Sequence, residues 1–293
     1  MRALLTGANG FLGGHLGPML AEQGAEVWAL GRRCPAWLAP LRFLPLAAVE
    51  DGTAIAATLR RLRPEFVFHL AGTRAPALAD AVNHRYARHL LAGAAALDAP
   101  PRLILMGSAS EYGAIPEAAQ PVTESAVCNP ATPYGKAKLA QTEAGLAAAR
   151  AGLPVVVARL FNAVGAGMPE ELALGAFAAQ LRTGAAELVS GRLDAVRDFV
   201  PAAAVAAVLA ELVRLPAAMG RVVNLCSGQG ATLEPFVAAF LAAAGRPVTW
   251  RLDPKRGLHG PPSPLYGNPA RLHSLGLHLP PAEPARVAME LLG

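Results

Sequence analysis

The sequence predicts an α/β fold, a doubly wound, mostly parallel sheet with a smaller C-terminal lobe. Short apolar runs alternate with Ala- and Leu-rich helical stretches, the order expected of βαβ units. The runs are continuously apolar, as for strands covered by helices on both faces. A glycine-rich turn links the first run to the first helical stretch. Right-handed crossovers then give an open, doubly wound sheet.

The strands are expected at Arg2–Leu5, Glu26–Leu30, Phe66–Leu70, Arg102–Met106, Val155–Leu160 and Arg221–Leu225. Helices are expected near Gly13–Gln23, Thr53–Leu62, Ala79–Leu97, Tyr134–Ala151 and Ala202–Leu215. After Phe161 the pattern loosens and Pro and Gly become more frequent. The expected division is a dinucleotide-binding domain of residues 1–163 and 196–227. Residues 164–195 and 228–293 would form a substrate-binding lobe.

Composition removes several classes. With 53% hydrophobic residues and a net charge of +5 over 293 residues, the chain is not disordered. Its basic residues are scattered and aromatics are few, so no nucleic-acid-binding stripe emerges. The apolar run before Thr6 is too short for a signal-peptide core. The stretch from Pro201 to Leu215 carries Glu211 and Arg214 and falls short of the ~20 apolar residues of a membrane span. Cys34, Cys128 and Cys226 have no CxxC spacing, and the histidines have no HxxxH or HxxEH spacing. A reduced, cytoplasmic setting without a metal is the expectation.

Two segments carry chemistry. The first is Thr6-Gly7-Ala8-Asn9-Gly10-Phe11-Leu12-Gly13-Gly14, directly after the first strand. Gly7, Gly10 and Gly13 suit a tight turn, close approach of the backbone to a pyrophosphate, and close helix packing. A helix N-terminus adds free N–H groups and a positive dipole end. Gly7, Asn9, Gly10, Phe11, Leu12 and Gly13 are therefore candidate cofactor residues. The second strand ends in Arg32 and Arg33, with no acid to bind a ribose 2′-hydroxyl. Two guanidiniums suit a 2′-phosphate, which favours NADP(H) over NAD(H).

The second segment follows the fourth strand. Ser108 and Ser110 precede Tyr134 and Lys138, which are four apart and share a helix face. An ordinary phenol titrates near 10, too high for ready proton exchange. A neighbouring ammonium would lower it, making Tyr134 an acid/base matched to neutral pH. Ser108 would hold a substrate carbonyl beside that hydroxyl.

Together these segments resemble the extended short-chain dehydrogenase/reductases of the nucleotide-sugar epimerase, dehydratase and reductase group. TGANGFLGG is similar to the family's glycine motif, and His69-Leu70-Ala71-Gly72 to its strand end beside the cofactor. The resemblance implies cofactor roles for Leu70, Ala71, Gly72 and Asn83 and catalytic roles for Ser108, Tyr134 and Lys138. Through the RxFN and RDF segments it implies that Asn162 and Arg197 meet a nucleotide diphosphate, with Ser110 and Arg256 also near the substrate. PVTESAVCNPATPYGKAKLAQ and NLCSGQGATLEPF most resemble the reductases of GDP-4-keto-6-deoxy-mannose. The family's dimer-forming helices correspond to the Ala-rich stretches 79–97 and 134–151, which implies a homodimer.

Departures from the family separate its chemistries. Dehydratases carry acids just after the catalytic hydroxyl residue, where this chain has Ala109 and Ser110, and Glu111 points elsewhere. Ser, Tyr and Lys alone suffice for reducing a keto group of a nucleotide-activated sugar. A 4-epimerase with retained NAD(P) needs the same set and stands as the alternative. A dinucleotide-sensing protein without catalysis is the second alternative.

Overall fold

The computed structural model describes residues 1–39, 42–255 and 263–293. Its centre is a seven-stranded parallel sheet. In chain order the strands are β1 (Arg2–Thr6), β2 (Glu26–Gly31), β3 (Phe43–Pro45), β4 (Phe66–His69), β5 (Arg102–Ser108) and β6 (Val155–Leu160). The seventh, β10 (Val222–Leu225), follows three short strands outside this sheet: β7 (Asn162–Val164), β8 (Glu187–Ser190) and β9 (Phe199–Pro201). The spatial order is β10-β6-β5-β4-β1-β2-β3. Chain direction across the sheet therefore reverses at β1, and the crevice between the carboxyl ends of β1 and β4 is the switch point where such folds bind ligands.

Helices cover both faces. On one side lie α1 (Phe11–Glu22) and α6 (Ala202–Leu212), over a core that includes Leu5, Phe68, Ile104 and Val156. On the other lie α2 (Gly52–Leu62), α3 (Tyr86–Ala95) and α4 (Pro133–Arg150), over Leu4, Val67, Leu105 and Val157. Alternate residues of each strand face opposite cores, which explains the unbroken apolar runs. Local signals set the helix starts. Asp51 accepts from the Ala54 N–H at 2.9 Å and caps α2, whose Ile55, Leu59 and Leu62 are buried. Thr132 accepts from the Gly135 N–H at 3.0 Å and Pro133 opens α4. That cap fixes where Tyr134 and Lys138 fall on the helix.

The second lobe has its own core, with Phe177, Leu188, Phe236, Phe240 and Leu291. It is built from α5 (Ala173–Arg182), α7 (Glu234–Ala243) and α9 (Pro284–Leu292), with β8 paired to β11 (Thr249–Leu252). A short α8 (Ala270–Ser274) packs near β10, and β7 pairs with β9. The helix expected over 79–97 differs from the structure. It begins as a π-helical turn, Ala81–Arg85, and becomes α-helical only from Tyr86. The Asn83 amide donates there to the Thr73 and Ala79 carbonyls. Among the described residues, no helix is long and apolar enough to cross a membrane.

Candidate active site

The crevice is built around Gly7 and Gly13. Gly7 sits at φ +72°, and a Cβ there would stand 2.6 Å from the Ala71 nitrogen. At Gly13 a Cβ would lie 2.3 Å from the Gly7 carbonyl oxygen, so α1 closes onto the turn only because side chains are absent. The Gly10 N–H donates to the Gly7 carbonyl at 2.9 Å. Gly10 gives α1 no side-chain cap, and its first turn holds no acid. The uncapped N–H groups and the open backbone cradle thus fit a pyrophosphate.

The surrounding strand ends are pinned together. Thr6 Oγ1 and His69 Nδ1 are 2.7 Å apart across β1 and β4, and the Ala71 N–H donates to Thr6 Oγ1. Asn9 donates to the Arg33 carbonyl, and the Trp37 indole donates to Ala8 while its ring lies on Gly17. These contacts hold the Gly31–Leu38 segment against α1. Arg32 and Arg33 are exposed and form no ion pair among the described residues. Phe11 and Leu12 are half-buried at the start of α1.

His69 is fully buried, and burial, assisted by the nearby Lys138 ammonium, pulls its imidazole down to about 3. The ring is neutral when folded but titrates near 6.5 when unfolded. Its stabilisation is complete above 6.5 and is lost as pH falls toward 3, at about 1.4 kcal/mol per pH unit. Urea midpoints measured between pH 6.5 and 5 are expected to fall more steeply in the wild type than in His69→Gln.

Asn83 lies beside Gly72, whose Cβ would stand 3.1 Å from its side-chain oxygen. It is buried, its oxygen accepts from the Thr73 N–H at 3.1 Å, and its amide serves Thr73 and Ala79. These bonds let Asn83 shape the 73–79 loop. Leu70, Ala71 and Gly72 lie at the crevice beside Gly7 and Lys138.

Ser108, Tyr134 and Lys138 converge at the end of β5. Ser108, almost fully buried, caps a 3₁₀ turn, its Oγ accepting from the Ser110 N–H at 3.2 Å. Lys138 Nζ donates to the Met106 carbonyl at 2.8 Å and to Gln141 Oε1 at 3.2 Å. A Cβ on Gly72 would lie 3.5 Å from that nitrogen, so the ammonium reaches the crevice. Burial pulls Lys138 down to about 8, against the opposing charge of Glu111.

Burial opposes the acidity expected for Tyr134. Burial raises its phenol above 10, partly offset by the Ser108 hydroxyl and by Arg74. Lys138 gives two of its three N–H donors to Met106 and Gln141, and the cation over the Tyr134 ring is Arg74, 5.6 Å from its centroid. At neutral pH the phenol is therefore a protonated acid. Spacing along α4 brought Tyr134 and Lys138 near each other but could not show which way the ammonium turns.

Toward the second lobe, Asn162 donates its amide and its backbone N–H to the Asp198 carbonyl, both at 3.0 Å. Arg197 donates to the carbonyls of Val196 and Ser263, each at 2.8 Å, and burial lowers its pKa. The Asp198 carboxylate accepts from Ser227 and from the N–H groups of Gly228 and Gly267, and burial raises its pKa despite these bonds. Arg256 lies outside the described residues. Gln141, Glu111, Asp198 and Arg74 were not singled out as site residues from sequence. The i,i+3 spacing of Gln141 from Lys138 was the one signal for it. Among the described residues no group of three His, Cys, Asp or Glu could hold a metal ion.

The chain is similar to several known proteins. A dTDP-6-deoxy-L-talose 4-dehydrogenase (NAD(P)(+)) of Kitasatospora kifunensis is 35% identical over 84% of this chain and 80% of its own length. A GDP-6-deoxy-D-mannose reductase of Pseudomonas aeruginosa is 30% identical over 93% of this chain and 90% of its own. The solved structure of RMD from Pseudomonas aeruginosa complexed with NADPH superposes with a TM-score of 0.82 at 26% identity, covering 99% of this chain and 97% of that one. Residues 3–226 match the NAD dependent epimerase/dehydratase family. The chain belongs to that family and is an NAD(P)-dependent oxidoreductase of the extended short-chain dehydrogenase/reductase type.

Proposed function

We propose that the protein is an NADP(H)-dependent reductase of a keto group on a nucleotide-activated, 4-keto-6-deoxy sugar. One observation carries the reading. Ser108, Tyr134 and Lys138 converge beside the crevice, while the nearest acid in sequence, Glu111, is buried in an ion pair with Arg159 at 2.7 Å. An elimination needs a free carboxylate at the sugar, whereas a ketone reduction needs one proton donor. The names of the two relatives point to the same substrate class.

The backbone from Gly7 to Gly13 would hold the pyrophosphate, Arg32 and Arg33 the 2′-phosphate, and Lys138 the nicotinamide ribose. The bound, reduced dinucleotide supplies a two-electron reducing equivalent. Ser108 donates a hydrogen bond to the substrate carbonyl oxygen and sets its position. Tyr134, protonated at neutral pH, gives its proton to that oxygen as the alcohol forms. The protonated phenol is the form that reduction consumes, although burial, by raising it, makes it a weaker acid. Arg197 and Asn162 flank the path to the second lobe, where a diphosphate would lie.

Turnover should consume one NADPH per keto sugar, with NADPH bound more tightly than NADH. Equal or better NADH affinity would remove the 2′-phosphate role of Arg32 and Arg33. Absence of net NADPH consumption, with an epimeric product, would replace the reductase by a 4-epimerase.

A further inference from the structure

The ion pair of Glu111 and Arg159 has no part in the chemistry above. Both side chains are buried, at 0% and 3% exposure. A buried pair adds little net stability over apolar residues of the same volume, so packing does not account for it. Its connections suggest what does. Glu111 Oε1 accepts from the Ser108 N–H at 2.7 Å. Oε2 accepts from Thr142 Oγ1 at 2.8 Å and from Arg159 Nε and Nη2 at 3.0 and 2.7 Å.

One carboxylate thereby ties together three elements. Ser108 ends β5, Arg159 lies on the adjacent β6, and Thr142 sits one turn beyond Lys138 on α4. Room for it exists because residue 107 is glycine: a Cβ there would stand 2.7 Å from Glu111 Oε1. Arg159 is held from its other side, its guanidinium 4.4 Å above the Tyr112 ring, whose hydroxyl donates to Asn224 at 2.7 Å.

We infer that Glu111 is the positioning residue of this site: it fixes the peptide that aims Ser108 and supplies the negative charge that faces Lys138. The inference rests on the roles given to Ser108, Tyr134 and Lys138 in the proposed reaction. The titratable groups acting on Lys138 are neutral His69 on β4 and Glu111 on the 3₁₀ turn, with the Met106 carbonyl and Gln141 amide as bond partners. Arg159 reaches this set only through Glu111. Of these groups Glu111 alone supports the ammonium by charge, and burial opposes it.

Lysines 136, 138 and 255 are the only ones in the sequence, so a chain labelled with ¹³C at lysine Cε gives three resonances. Lys136→Arg and Lys255→Arg assign them. Lys138 is expected to titrate near 8 in the wild type and lower in Glu111→Gln. In that variant kcat is expected to fall roughly 10²-fold, the loss typical of a small misplacement, with NADPH affinity retained. Glu111→Asp should restore the Lys138 titration but not kcat, because the shorter side chain cannot reach Ser108. An unmoved Lys138 titration, or a kcat close to wild type in Glu111→Gln, would overturn the inference.

Should Glu111→Gln not fold, Thr142→Val keeps the charge and cuts the link to α4. It should lower kcat with Lys138 unmoved, and an unchanged kcat would count against the inference. The titration needs neither substrate nor cofactor. A wild type that reduces no keto sugar, yet shows the Lys138 shift, would refute the proposed reaction and uphold the electrostatic role of Glu111.

Discussion

Tyr134→Phe slows reduction by roughly 10²–10⁴-fold, the usual contribution of a positioned general acid, and leaves NADPH affinity close to wild type. The substitution removes one oxygen and little else. The ring still carries Arg74 above it, at 5.6 Å from the centroid. Lys138 keeps its bonds to Met106 and Gln141 and its reach to the crevice. Single-turnover kinetics separate the chemical step from binding, so a loss confined to that step is the expected signature. Near-normal turnover in Tyr134→Phe would contradict the assignment of the proton donor.

Gly13→Ala weakens NADPH binding by tenfold or more, equivalent to about 1.4 kcal/mol. Two effects oppose each other here. Within a helix Ala is favoured over Gly by about 1 kcal/mol. Against that, the added Cβ would stand 2.3 Å from the Gly7 oxygen and 2.7 Å from Ala8 Cα. Both are backbone atoms, which cannot swing aside, so α1 must move off the turn and open the cradle. Overpacking of this kind costs about 1–3 kcal/mol, enough to outweigh the helix gain. Gly14→Ala is the matched control, because nothing lies within 4 Å of its Cβ position. NADPH affinity equal in the two variants would show that the cradle does not depend on this close approach.

The sequence revealed the parts of the fold that repeat a strong physical pattern. Six buried parallel strands read as apolar runs, and their ends agree with the structure to within a residue or two. β3, β7 and β9 escaped because strands of three residues make no run. β11 is exposed along its whole length and carries Thr249 and Arg251 among apolar residues, so it showed no pattern of burial. The π-helical turn at Ala81–Arg85 depends on a side-chain contact between Asn83 and the 73–79 loop, which spacing cannot reveal.

The site was legible at a coarser grain. Glycine spacing after β1 and the i,i+4 spacing of Tyr134 and Lys138 pointed to residues that the fold brings to one end of the sheet. Directions of side chains were not legible. Lys138 turns toward β5 and Glu111 turns inward to Arg159, so the charges acting on Tyr134 differ from those implied by spacing. The partnership of Glu111 with Arg159 spans 48 residues and joins the 3₁₀ turn after β5 to β6.

The most direct measurement uses NADPH carrying deuterium at the transferable position of the nicotinamide, supplied with a 4-keto-6-deoxy nucleotide sugar. The account predicts one deuterium on the former carbonyl carbon of the product and one equivalent of oxidised cofactor. Product formed without deuterium, alongside cofactor that remains reduced and labelled, would contradict it.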